Sequence, residues 1–589
     1  MRSIAIFFGQ FGPYHHARVV ASQRAAAEQG VRVVPVQIAG ATTTYEWNEG
    51  NESQVAGNRC AGLKTLCDGV EEAASPFDVF LKARKLFREE KVDVAFLPSY
   101  SPARYFALFA AAKSLGIRTV MMNESHAGTE QATGWKRWIK RQIVKQFDAA
   151  LVGGEPHKRH FASLGIPADK IFTGYDAVDN ALFAAKADEV RSMPSGSENL
   201  RVGEEHGARS VEQERPEASG AEQEGRQGSG DRGQSEGGED SVSVFQNLPK
   251  GCLAKPRLGF SDFRKTYGLP QRYFLSLGRM VEKKNLSTLV EAYARFARAS
   301  GEKHGAGPPA RRPYGSERSR EHGVRETTDT RHTPVALVFV GSGELERALR
   351  EQARGLGLRV VDRTDVRVEK TGHGLTRINT DKSERLAADR TEGNAASSVT
   401  RAGCEGLQSQ AEPRLCETGL IQNCKPNTEN SLENDRGAVF FYGFRQIEEN
   451  PVFYALAEAF VLPSLKEEWG LVVNEAMAAG LPVIVSRAAG CAEDLVPHAK
   501  FAKGAELGGL AATDGPLEQR SNGFVFDPSS VDALSEALRR IADQKTKRQK
   551  DQETDGITEM GRRSREIVER FSCENFARQA LRAAEAASA

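Results

Sequence analysis

The sequence predicts an α/β protein of two Rossmann-like units, each a parallel sheet wound with helices, facing a central cleft. Three observations predict it. Short apolar runs of strand length alternate with longer helical sequence, and that alternation stops and restarts once along the chain. Turns rich in Gly and Pro fall where strands hand over to helices. The 29 Phe, 11 Tyr and 4 Trp of the 589 residues are missing from two long stretches, 194–241 and 362–436, which sets those stretches apart from the alternating segments.

The first unit opens on a buried strand, Ile4–Phe8, and a turn at Gly9, Gly12 and Pro13. Helical sequence follows from Ala17 to Glu28 and stops at Gly30. Strands are predicted at Val31–Ile38, Val92–Leu97, Thr119–Met122 and Ala149–Val152, with helices between. The pattern restarts with a strand at Tyr273–Leu277, a helix at Ser287–Ala299, a strand at Ala336–Val340 and a helix at Glu344–Leu356. Val439–Tyr442, Ala459–Leu462 and Pro482–Ser486 complete the second set of strands. The predicted organisation is a first domain at 1–183, a linker at 184–262, a second domain at 263–570 and a helix at 571–589 that packs back on the first domain.

Three polar stretches, 194–250, 301–333 and 362–436, read as long disordered insertions, because none settles into a helical or strand period. Without them the chain has the length of two domains rather than three or four. None interrupts the segments that carry the chemistry below.

Composition excludes several classes. Lys and Arg number 80 against 79 Asp and Glu, a net charge of +1, so no nucleic-acid partner is expected. The eight Cys form no CxxC pair, which reads as reduced thiols and a cytoplasmic setting. The first residues have too short an apolar run for a signal peptide, and no run approaches the roughly 18–20 residues of a membrane span. Gly9–Gly12 and Gly341–Gly343 do not complete GxGxxG, and no GxxxxGK[ST] occurs, so dehydrogenase and P-loop readings are rejected.

The densest chemistry lies at 463–483. A strand ends, Glu467 precedes a helix that opens near Gly470 and Leu471, and Glu475 lies inside that helix. Amides at the helix start can receive an anion. Two carboxylates at E-x7-E spacing can accept hydroxyl groups on either side of a bound phosphate, the layout of a nucleotide sugar. Glu468 reads as an exposed neighbour, Trp469 as a packing residue and Cys491 as a small buried thiol. A second element ends the strand at Leu277 with a Gly turn, Arg279 and Lys284. Two cations there suit a diphosphate leaving group, whose charge grows as the bond to the sugar breaks.

Taken together, the Arg279–Lys284 element, the Gly341–Gly343 turn and the Glu467–Glu475 run resemble the group 1 glycosyltransferases, family 4 of the carbohydrate enzymes. The resemblance extends over nearly all the ordered sequence and is strongest over Phe274–Val496. It implies the GT-B fold and a retaining hexosyl transfer from a nucleoside-diphosphate sugar to a glycan, lipid-linked or small-molecule acceptor. It also implies roles. Glu467 holds donor hexose hydroxyls, and the amides of Gly470 and Leu471 lie near sugar or phosphate. Glu475 takes the ribose hydroxyls, Arg279 and Lys284 bind the diphosphate, and Gly341 and Gly343 admit the nucleotide to the backbone. No metal or other cofactor is expected, and Glu467 is not cast as a hydrolase-type nucleophile. The competing readings are an epimerase or phosphorylase on the same fold and a non-catalytic nucleotide-sugar-binding protein.

In such a fold the first domain binds the acceptor. Gly12, His15, His16 and Arg18 sit in its first strand-to-helix turn, Gly12 for close approach and the others as donors to phosphate or sugar oxygens. Where many relatives place a His beside the reacting sugar, this chain has Glu124, with His126 two residues on. Either is a candidate acceptor-side group. Asp179 and Asn180 read as structural. Finally, 135–147 carries five basic residues and no acid, with Trp135, Trp138, Ile139, Ile143 and Phe147 at helical spacing. The first reading is a core-packed helix with a basic solvent face. The second is a peripheral contact with anionic lipid at the inner face of the membrane.

Overall fold

A computed structural model describes residues 1–43, 59–192, 260–302, 334–371, 374–379, 437–498, 515–548 and 558–589. It contains two parallel-sheet domains, each layered between helices.

The first sheet consists of β1 (Ser3–Phe8), β2 (Arg32–Gln37), β3 (Lys64–Thr65), β4 (Val94–Leu97), β5 (Arg118–Asn123), β6 (Ala149–Val152) and β7 (Ile171–Thr173). They lie in the order β3-β2-β1-β4-β5-β6-β7. Every residue of β1, β4 and β6 is buried, as strands covered on both faces require. The helices are α1 (Pro13–Ala27), α2 (Pro76–Glu89), α3 (Ala103–Ser114), α4 (Gly134–Val144) and α5 (Glu155–Ser163). Pro13 stands at the start of α1, where its missing N–H costs nothing.

The chain then leaves the first sheet. The helix α6 (Asn180–Ser192) buries Phe183, Ala187 and Val190 in the second domain's core, and α7 (Phe260–Tyr267) adds Phe263 and Tyr267 to the same cluster. The segment read as linker thus contains two helices of that core, because their apolar residues recur at helical spacing.

The second sheet contains β8 (Tyr273–Leu277), β9 (Ala336–Val340) and β10 (Arg359–Asp362). A two-stranded ribbon, β11 (Val366–Thr371) with antiparallel β12 (Gly374–Asn379), stands apart. The sheet continues with β13 (Ala438–Phe441), β14 (Ala459–Leu462), β15 (Val483–Ser486), β16 (Leu517–Arg520) and β17 (Gly523–Phe526). Its order is β10-β13-β9-β8-β14-β15-β17-β16, parallel except for β16. Its helices are α8 (Leu286–Glu302), α9 (Glu346–Gly355), α10 (Asn450–Leu456), α11 (Leu471–Ala478), α12 (Ala492–Leu495) and α13 (Val531–Arg548). After α14 (Glu559–Val568), α15 (Cys573–Ser588) returns to the first domain. There Phe576, Ala580, Leu581 and Ala584 pack with Ile4, Ile6, Val120 and Leu151.

The ribbon corrects the reading of 362–436 as structureless from its first residue. Val366 and Val368 alternate with polar residues before Gly372 and Gly374, a short strand period that the mean composition hides. Likewise, residues 301–302 complete α8. Asp362 ends β10 and residues 363–365 lead into the ribbon; the rest of the three insertions lies outside the described residues.

A second correction concerns 135–147. The helix forms, but Trp135 is 69% exposed, Trp138 63% and Ile139 41%. Only its far end meets the core, where Val144 and Phe147 are buried and Ile143 packs against them half-buried. The amphipathic pattern identified a helix face correctly; the core covers only the end of that face at Ile143 and Phe147 and leaves Trp135, Trp138 and Ile139 exposed.

Candidate active site

The site forms where the carboxyl ends of the two sheets meet. After β14 the chain turns through Pro463–Gly470 into α11. Glu467, buried in this turn, accepts at Oε2 from Lys284 Nζ (2.5 Å) and Ser464 Oγ (2.8 Å). Lys284 ends a single 3-10 turn after β8, and Asn285 follows in the left-handed region at φ +55°. The Asn285 amide donates to Pro463 O (3.1 Å) and Pro528 O (2.9 Å), which fixes one turn against the other. Alongside, Lys283 pairs with Glu468 at 2.9 Å. Glu468, read as merely exposed, is therefore a half-buried ion-pair partner. Lys283 was missed; its only signal was its place beside Lys284. Arg279 is exposed at the end of β8.

The two glycines after β9 have a reason inside the protein. A Cβ on Gly341, at φ +129°, would lie 2.0 Å from Gly278 O, and one on Gly343 2.5 Å from Met280 O. The turns interlock through Gly278 N to Val340 O, Met280 N to Ser342 O and Leu345 N to Met280 O, at 2.9, 2.9 and 3.0 Å. Close approach here is between the protein's own loops, and it presents Arg279 on a rigid support.

Gly470 opens α11 at φ +109°, a left-handed value that favours glycine. Leu471 begins the helix. Fully buried Trp469 donates from Nε1 to Asn474 Oδ1 (2.8 Å), and Asn474 Nδ2 donates across the domains to Asp176 O (3.1 Å). Glu475 is 1% exposed. Its Oε1 accepts from the Tyr14 hydroxyl (2.5 Å) and its Oε2 from the Tyr454 hydroxyl (3.0 Å). Burial pushes its pKa up to about 7, while those hydrogen bonds pull the other way. The carboxylate assigned to ribose thus gives both oxygens to tyrosines, one from each domain. Neither tyrosine was singled out in the sequence, although Tyr14 lies inside the Gly12–Arg18 turn.

That turn corrects two expectations. His15 accepts at Nδ1 from Gly12 N (3.0 Å) and stacks on Phe8 with ring centroids 4.1 Å apart. Burial, then the Arg18 charge, drives its pKa down to about 3. His15 is a neutral cap of its own helix, not a cation for phosphate. His16 turns its Nδ1 to Cys60 Sγ at 3.2 Å. Arg18 is buried, with Nε donating to Ala177 O (2.8 Å) and its guanidinium over the Tyr175 ring. Its Nη2 is buried with no hydrogen-bond partner among the described residues.

Glu124 and His126 follow β5 and differ in state. His126 accepts at Nδ1 from Gly128 N (3.2 Å), so Nε2 carries the proton and donates to Glu467 O (3.0 Å). His157, at the start of α5, repeats the pattern with Gly154 N (3.1 Å) and Glu468 O (2.9 Å). Both rings are committed to backbone, holding the acidic turn against the first domain. Glu124 faces the same turn with its carboxyl. Burial raises its pKa to about 7; Arg18 and Lys283 oppose that rise and the Glu468 and Glu467 charges add to it.

Two parallel-sheet α/β domains, joined at the carboxyl ends of their strands through Tyr14 to Glu475, His126 and His157 to the Glu467 and Glu468 carbonyls and Asn474 to Asp176, have the GT-B fold. Residues 429–555 match the family of glycosyl transferases group 1. Over 131 residues the chain is 33% identical to sulfoquinovosyl transferase SQD2 of Arabidopsis thaliana, covering 22% of this chain and 20% of that protein. The chain thus spans a fifth of the length of this curated relative. A glycosyltransferase from Rickettsia africae superposes with a TM-score of 0.50 at 11% identity, covering 100% of this chain and 98% of that one. HepE of Anabaena, solved with UDP, gives 0.49 at 13% identity, with 99% of each chain covered. At 11% identity the Rickettsia likeness concerns the fold.

Proposed function

We propose that this chain transfers a hexosyl unit from a nucleoside-diphosphate sugar to a glycan, lipid-linked or small-molecule acceptor with retention of anomeric configuration. The observation that carries this reading is the Glu467–Glu475 element, held at the junction of the two sheets and contacted from both. Glu467 meets the hexose hydroxyls and Glu475 the ribose hydroxyls, in place of the Tyr14 and Tyr454 phenols. Arg279 and Lys284 meet the diphosphate, with the amides at the start of α11 beside them. These cations offset the leaving-group charge, so the reading requires no metal. Of the two acceptor-side candidates, Glu124 fits better, because the ring nitrogens of His126 are already bonded.

Thermal-shift titration with UDP-, GDP- and ADP-sugars tests the donor site, since a ligand bound only to the folded state raises its melting temperature. A shift with one base is expected. Labelled donor then reports transfer. Glu475→Ala and Arg279→Ala are expected to weaken donor binding, and Glu467→Ala to lower turnover. Wild-type transfer by all three variants overturns the reading.

A further inference from the structure

Helix α5 starts without a cap of its own. Its N-cap is Gly154, which has no side chain, and Pro156 in its first turn has no N–H. Gly154 N donates to His157 Nδ1 within the helix (3.1 Å). Glu155 N donates to Asp494 Oδ2 (3.0 Å), and Asp494 belongs to α12 of the second domain. A helix start needs acceptors for its first amides, and a carboxylate there also meets the positive end of the helix dipole. In this chain the other domain supplies it. One turn further on, Arg159 forks onto Glu493, Nη1 to Oε1 at 2.9 Å and Nη2 to Oε2 at 2.6 Å. Two consecutive acids of α12 thus hold the start of α5. The Arg159–Glu493 pair is exposed on both sides and adds little by itself; the half-buried cap is the stronger contact.

Both domains make room for this meeting. A Cβ on Gly154 would lie 2.0 Å from Asp494 Oδ2 and 2.9 Å from the Trp469 ring. A Cβ on Gly490, just before α12, would lie 1.9 Å from Glu468 O and 2.9 Å from the His157 ring. Gly154 has φ −152°, an extended backbone that alanine also adopts. The atoms a side chain at 154 would meet first belong to the second domain. The approach of that domain, not the local backbone, therefore calls for glycine there.

Helix α5 follows β6 and α12 follows β15, both at the carboxyl edges of their sheets, so the contact closes one flank of the cleft. Gly154, Arg159, Glu493 and Asp494 have no part in the proposed donor site. In the same arrangement Tyr14 of the first domain occupies Glu475 Oε1. The meeting of the domains thus covers the carboxylate proposed for ribose.

We infer that Asp494, supported by Glu493, is a latch that completes α5 from the second domain and holds the unliganded cleft shut. A nucleotide sugar enters only the fraction of molecules that has released it, so the latch lowers the apparent affinity. That consequence rests on the transferase reading; the latch does not.

Zero-length crosslinking reads the latch without any ligand. In Arg159→Lys the new amine faces Glu493, and a carbodiimide joins amine and carboxylate as an amide only where the two touch. Mass spectrometry of the digested full chain is expected to find peptides linked between positions 159 and 493. Asp494→Ala and Gly154→Ala, each added to that variant, are each expected to cut the yield about tenfold, the first by removing the acceptor and the second by displacing it. The two substitutions lie in different domains, so a shared loss is not a local folding defect. Asp494→Asn keeps an acceptor oxygen and is expected to retain most of the yield. In chains that keep Arg159, Asp494→Ala and Gly154→Ala are expected to bind the nucleotide sugar that shifts the wild type about three- to tenfold more tightly. Absence of the link in Arg159→Lys overturns the inference, as does a yield that neither substitution changes. Weaker donor binding by both variants also overturns it, since the contact then belongs to the binding form. If the link responds as expected but no nucleotide sugar binds any chain, the transferase reading fails while the latch stands.

Discussion

Glu475 carries a charge that its surroundings resist. An unfolded chain releases this proton near 4.5, and the folded one near 7. Between those values the native state holds more protons than the unfolded state, so stability falls as pH rises through the window, by on the order of 3 kcal/mol for this group. Glu475→Gln removes the titration. Denaturant unfolding at about pH 5 and about pH 8 is expected to show the wild type losing stability relative to this variant; equal losses contradict the assignment. On the proposed ribose-binding role, donor binding has the opposite slope, since an ionised carboxylate accepts from ribose hydroxyls better than a neutral one, and affinity is expected to rise as pH passes 7. A double-mutant cycle of Tyr14→Phe with Glu475→Gln is expected to give a coupling of about 1–3 kcal/mol. The two glutamates were legible because their spacing is local. Tyr14 was not, because it meets Glu475 across 461 residues of sequence, and no period or motif encodes a partner at that range.

Among the elements, the loops after β8 and β9 show how tightly the proposed donor side is built. Gly341→Ala places a methyl 2.0 Å from a carbonyl oxygen and at a positive φ. The expected cost is about 2–4 kcal/mol, measured by denaturant unfolding, with donor affinity falling as the Arg279 turn shifts. Gly355→Ala at the end of α9 meets nothing within 4 Å and is expected to be neutral or to stabilise by up to about 1 kcal/mol. The strands at 149–152, 273–277, 336–340 and 459–462 were readable to the residue, since a run buried on both faces is apolar from end to end. The α4 helix was readable as a helix and misread in its burial. Periodicity reports which side chains share a face, not what lies against that face.

At the scale of the whole molecule, the chain crosses between domains twice, and the crossings lie side by side. Val178 bridges Ser572 in parallel, Asn180 Nδ2 donates to Val568 O (3.0 Å) and Cys573 Sγ lies 3.4 Å from Val178 O. Beyond the second crossing, α15 buries Phe576, Ala580, Leu581, Ala584 and Ala587 on the first sheet. Each large apolar side chain so buried stabilises by roughly 1.5–3 kcal/mol. A chain stopped at Ser572 is expected to lose the first domain's cooperative melting transition, and the peptide 573–588 added in trans to restore it. Two melting transitions unchanged by the truncation contradict this. The two-unit layout was legible from the restart of the strand–helix alternation at Tyr273. The return of the last helix to the first domain was expected as well; the place of α6 and α7 in the second domain's core was not, because helical periodicity alone does not state which sheet a helix covers.

The return of α15 also orders events during synthesis. The strands of the first sheet have all been made by Thr173, yet one of its faces is covered only by α1 until residues near 580 emerge. That is about 400 residues later, and at roughly 5–20 residues per second the delay is tens of seconds. Throughout it, the nascent chain presents the part of that apolar face that α1 does not reach. The domain translated first is the last to be completed, and it is the natural client of whatever chaperone attends this protein at the ribosome.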